Sequence, residues 1–155
     1  NLTVQEYDDT YDNLANLLAM RKNYNTALFT IVSESQYTEE YGIISEKTFN
    51  AIVAGHPFLM CAHRLALENI RHYGFQTYNY IFDEMYDELD NVVRMKDMIN
   101  INYHFTKERL SAVEMQKIWE DVRGIADFNR NYYFELFGYM LIDELRMDLL
   151  NLWAR

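Results

Sequence analysis

The chain has 155 residues, half of them apolar and 15% aromatic, with only 5 Gly and 1 Pro; this suits one domain with a sizeable core and excludes disorder. A net charge of −10 argues against a nucleic-acid partner, which calls for a basic face, yet leaves room for a small phosphorylated ligand held by one or two cations and helix N–H groups. A single cysteine, Cys61 in the apolar run "PFLMCA", cannot make an internal disulfide, so a buried inert thiol in a reducing, cytoplasmic compartment is expected.

Residues 3–23 read as a helix, with Tyr7, Tyr11, Leu14, Leu17 and Leu18 at helical spacing and Arg21 and Lys22 near its end. "TALFTIVSES" follows, a β-branched run of strand length from Ala27 to Ser33 with little polar alternation, so both its faces are expected to be covered. After the polar loop "ESQYTEEYGII", Ser45 is an N-cap for a helix from Glu46 to about Ala54 that carries Phe49, Ile52 and Val53. Gly55 ends this helix, and Pro57 opens a second strand, "PFLMC". "LALENIRHYGF" predicts a short helix ending at Gly74, and "QTYNY" a third strand. Two βαβ crossovers make a small, Rossmann-like parallel sheet over about 24–82.

From Asp83 the pattern turns helical, through "DEMYDELDNVVRMKDMININYHF" and then from Thr106, a candidate cap, along Leu110, Val113, Met115, Ile118, Trp119 and Val122. Gly124 is expected to break or bend that helix before a last one over about 127–153, with Phe134, Phe137, Leu141, Leu145, Leu149 and Trp153. The expectation is a single α/β domain over 1–155, with flanking helices and a long helical region over about 83–155. The aromatic-rich "NRNYYFELFGYMLIDEL" covers more than one face, which points to core or to a subunit interface.

No run approaches the roughly 18–20 apolar residues of a membrane span, and "NLTVQEYDD" lacks a signal-peptide pattern. The start at Asn rather than Met is expected of a processed form or a fragment. The four histidines form no HExxH or HxH, and no CxxC occurs, so no metal is expected. Asp83 and Asp87 share a face if helical, but an acid-rich helix start accounts for them without an ion.

In an open parallel sheet ligands gather at the carboxyl ends of the strands. There stand Ser33, Glu34 and Ser35, and beyond the loop the helix opening Ser45-Glu46-Lys47. Lys47 beside the orphan amides of a first turn suits a phosphate, and Glu46 suits vicinal hydroxyls. The plainer reading is a capped, solvated helix start. The stretch "ALFTIVSESQYTEEYGIISEKTFNAIVAGHPFLM" resembles the donor-binding segment of GT-B glycosyltransferases, most closely the α1,3-fucosyltransferase-like group. Its hydrophobic strand, acid–polar pair, Ser-Glu-Lys helix opening, Asn50-Ala51-Ile52-Val53-Ala54-Gly55 stretch and Pro57 strand all follow in order. Downstream, "ENIRHYGFQTYNYIFDEMYDEL" is similar to phage- and virus-encoded glycosyltransferase-like proteins.

The resemblance implies a nucleotide-sugar donor as substrate and no further cofactor. Lys47 would meet the diphosphate, Glu46 the ribose, and Glu34 and Ser35 the nucleotide pocket. Ser45 would cap the helix or donate to a phosphate. Where that family places an aromatic residue against the base this chain has Ile43, with Tyr41 two positions earlier as its substitute. Arg64 offers a second phosphate cation, its plainer reading being a solvated helix-start residue. The catalytic base has no candidate. Only one half of a GT-B enzyme fits this length, so a homo-oligomer or a partner chain supplying the acceptor domain is expected. The rival expectation is a non-catalytic assembly protein, of viral type, that keeps the fold.

Overall fold

The structure, a computed structural model, describes residues 23–37, 42–107, 110–143 and 147. The helix expected over 3–23 lies almost wholly outside them, as does the part of the last helix beyond 143. β1 (Thr30–Ser33) and β2 (Phe58–Cys61) pair in parallel, Thr30 opposite Phe58 and Ser33 opposite Cys61. Between them runs α1 (Glu46–Val53), so the predicted strand–helix–strand unit is present. β2 buries Phe58, Leu59 and Met60 in succession, as a strand covered on both faces does. β1 departs from the expectation: Val32 is buried but Ile31 remains 43% exposed, so its two faces are not equally covered.

The predicted third strand does not form, and the sheet of the described residues has two strands. The backbone of "QTYNY" is satisfied by side chains instead. Asn129, itself fully buried, accepts from Gln76 N–H and donates to Gln76 C=O, both at 2.8 Å, while Tyr78 N–H donates to Glu84 at 2.7 Å. The free edge of β2 is likewise closed without a strand, since Met60 N–H donates to the Tyr86 hydroxyl at 3.2 Å and Arg94 Nε donates to Ala62 C=O at 3.1 Å. A buried edge needs partners but not a strand.

α1 starts at Ser45, whose hydroxyl accepts from Lys47 N–H, and ends at Gly55 with φ +62°, both as expected from the residues. α2 (Ala66–His72) ends at Gly74, where φ is +91° and a Cβ would collide with the Tyr132 hydroxyl. Its start is unusual. Leu65 has φ +61° and contributes no side-chain cap; Asp87, twenty residues on, accepts from Leu67 and Glu68 N–H at 3.0 and 3.3 Å. Burial raises the Asp87 carboxyl above its ordinary pKa against the opposing pull of those two amides. Asp87→Ala is therefore expected to destabilise the fold by about 1–2 kcal/mol, read as a lower urea midpoint, with Asp87→Asn recovering part of it.

A 3₁₀ turn (Glu84–Glu88) capped by Asp83 precedes α3 (Asn91–Lys107). Asp83 and Asp87 thus serve two separate caps. Thr106 lies inside α3 rather than capping the next helix. That role falls to Ser111, which forms a reciprocal capping box with Glu114 at the head of α4 (Ala112–Tyr132). Gly124 does not break α4, and no atom lies within 4 Å of where its Cβ would stand. The helix continues through a π turn (Tyr133–Phe137) to residue 143. The turn sets Phe137 against Phe49, Phe75 and Tyr73, at ring separations of 5.4, 4.9 and 6.0 Å. This aromatic cluster joins α4 to the βαβ unit; Phe75 and Phe137 are buried in it and contribute about 1.5–3 kcal/mol each, while Phe49 and Tyr73 are partly buried.

Candidate functional site

At the carboxyl end of β1 the chain folds its own acid onto its own helix. Glu34 is 4% exposed and its carboxylate accepts from Ser45 N–H at 3.1 Å, from the Ser45 hydroxyl and from Thr48 Oγ1 at 2.6 Å. The positive pole of α1 thereby faces an internal anion, the position a ligand phosphate would take. Lys47 N–H turns to Ser45 Oγ at 3.3 Å, and the Glu46 carboxylate is held below the usual range first by its own backbone N–H and then by Lys47. The Lys47 ammonium lies 3.3 Å from Glu46 Oε1 and from Ser45 Oγ, with both charged side chains substantially in solvent. An exposed neighbouring pair of this kind adds little stability.

Beside it, at the ends of both strands, sits a closed polar cluster that no sequence motif announces. Arg94 is 1% exposed and donates four bonds, to Ala62, Leu89 and Tyr37 C=O at 3.1, 2.7 and 2.8 Å and to Asn91 Oδ1 at 2.7 Å. Its guanidinium also stands 4.7 Å over the Tyr37 ring. His63, equally buried, has Nε2 3.2 Å from Asn69 Nδ2, and burial holds it below its ordinary pKa. The loop at Gly42 lies so close that a Cβ there would come within 2.5 Å of His63 Nδ1. Burial, ahead of weaker opposing effects from Ser33 and Arg94, pushes the Cys61 thiol up, away from a reactive thiolate.

Of the predicted site residues, Glu34, Ser45, Glu46 and Lys47 are brought together, but around one another. Ser35 is exposed in the loop that follows. Arg64 stands apart, its Nε donating to Glu88 C=O at 2.8 Å. Tyr41 lies outside the described residues. A cleft of about 730 Å³ opens at the other, amino end of the strands, between the segment entering β1, the turn after α1 and one face of α4. None of the predicted site residues lines it. Its chemistry comes from His56, Trp119, Arg123, Asp127 and Arg130; the last four recur at helical spacing along one face, a pattern present in the sequence.

Two further surfaces are apolar and open. On α3, Val92, Met95, Ile99 and Tyr103 form an exposed row; beyond α4, Phe134, Leu136, Tyr139 and Ile142 are each more than half exposed. Among the described residues no three His, Cys, Asp or Glu are placed to hold a metal ion, and no helix is long and apolar enough to cross a membrane. The fold and site define the molecule as a mixed α/β protein with a two-stranded parallel sheet and long carboxyl-terminal helices. Comparison with protein-family models, with curated proteins and with solved structures finds no match for the chain.

Proposed function

We propose that this protein is an interaction and assembly module, in which a reduced Rossmann-like βαβ layer carries helices that bind a second copy of the chain. The observation that supports this reading is the set of apolar side chains Phe134, Leu136, Tyr139 and Ile142, each open to solvent on a helix already anchored to the core by Phe137. Apolar patches of this kind mark contact surfaces more often than they serve a monomer. Phe134→Ser together with Ile142→Glu is expected to convert a concentration-dependent dimer into a folded monomer whose melting temperature no longer depends on concentration. Sedimentation velocity over a range of concentrations reads this, and a wild-type chain that stays monomeric throughout rejects the reading.

A second reading, donor binding in a nucleotide-sugar-dependent glycosyltransferase, is favoured by one feature: Glu46 and Lys47 stand exposed at the carboxyl edge of the sheet, where parallel-sheet ligands gather. Such a ligand would have to compete with Glu34 for the helix start. On this reading Lys47 stabilises the leaving diphosphate, GDP or UDP raises the melting temperature, and Lys47→Ala removes the rise. An unchanged melting curve in both nucleotides sets it aside.

A further inference from the structure

The cleft at the amino end of the strands brings two arginines, aromatic rings and a buried histidine together on a chain of net charge −10. Its volume, about 730 Å³, suits a small organic ligand. On α4, Arg123 and Arg130 both pair with Asp127, at 3.5 and 3.1 Å. One carboxylate cannot neutralise two guanidinium groups, so the wall keeps a unit of positive charge. Both pairs are largely in water and individually weak, so the two forks can turn to a ligand anion at small cost. Gly55, at φ +62°, lets Arg130 lie against the turn: a Cβ there would stand 3.3 Å from Arg130 Nη1.

The wall also carries three aromatic rings, Tyr24, His56 and Trp119. Tyr24 packs on His56 with ring centres 4.9 Å apart, and the half-buried Trp119 lies one helical turn before Arg123. His56 is 3% exposed and hydrogen-bonds to the Phe29 backbone, yet its Nε2 is buried with no partner among the described residues. A buried, unpaired ring nitrogen is uncommon and costs free energy.

We propose that this cleft binds a small aromatic molecule carrying a phosphate or carboxylate, its ring against Trp119 and its anion between Arg123 and Arg130. The site is separate from the Lys47 corner and from the exposed apolar residues beyond α4, so it stands whether or not either functional reading holds. The chain has 2 tryptophans; in a Trp153→Phe background the remaining indole, Trp119, reports on the cleft by fluorescence. Phenyl phosphate and AMP are expected to change that signal saturably at millimolar concentration or below, and inorganic phosphate to bind more weakly than either. Arg123→Gln and Arg130→Gln should each weaken phenyl phosphate about tenfold, Asp127→Asn should tighten it, and Lys47→Ala should leave it unchanged. Circular dichroism melts establish that each variant is folded. The proposal falls if neither aromatic probe saturates, if inorganic phosphate binds as tightly as phenyl phosphate, or if both arginine variants bind like wild type.

Discussion

Arg94→Ala is expected to destabilise the protein by about 4 kcal/mol, the largest loss of any single replacement considered. Arg94 heads the fully buried side chains in size, and its removal opens a cavity at the carboxyl end of the strands. It also strips the donors from Ala62, Leu89 and Tyr37 C=O, which belong to three segments far apart in sequence. A buried acceptor left without its donor costs about 1–3 kcal/mol. All four acceptors are neutral, so the arginine acts as a clamp between the β1 loop, the edge of β2 and the head of α3. Arg94→Met, which keeps most of the volume, separates the hydrogen-bond contribution from the cavity. Urea denaturation midpoints read both variants, and a loss below about 1 kcal/mol for Arg94→Ala contradicts the clamp.

Glu34→Ala is expected to cost about 2–4 kcal/mol, because three donors at the start of α1 lose their shared acceptor. Glu34→Gln keeps the shape but turns an N–H₂ toward at least one of those donors, and should lose less. Amide hydrogen exchange localises the effect: protection should fall first in the opening turn of α1, around Thr48 and Phe49. The same pair of variants bears on function. A carboxylate that reads a ligand would leave stability nearly untouched when replaced, whereas one that holds the helix start would not. Unchanged melting of Glu34→Ala would return Glu34 to the ligand-binding role its position at a strand end first suggested.

Much of the local structure was legible because its causes are local. Ser45 before an amphipathic run, Gly55 and Gly74 after theirs, and the β-branched run entering Ser33 each specify backbone geometry within a few residues. The capping box Ser111-x-x-Glu114 was equally readable, yet the apolar periodicity starting near Thr106 obscured it. Gly124 misled for a related reason: its cost in a helix is about 1 kcal/mol, small beside the packing of the residues around it, with Val122 and Ala126 both buried. Of the residues the site expectation named, Glu34, Ser45, Glu46 and Lys47 do meet. What residue types could not tell is that Glu34 turns inward and bonds to Ser45 and Thr48.

By itself, then, the sequence determined the βαβ unit, its helix caps and its helical carboxyl-terminal half, because propensity, capping and glycine conformation act over a single turn. Only the tertiary structure decided that "QTYNY" leaves the sheet, that Asp87 caps a helix twenty residues earlier and that Arg94 closes the carboxyl end of the strands. Those outcomes depend on which donor reaches a buried acceptor first in space. Asn129 lies 53 positions from Gln76, and Arg94 lies 57 from Tyr37. The requirement that every buried N–H and C=O be paired is general, but the partner that meets it is chosen by packing.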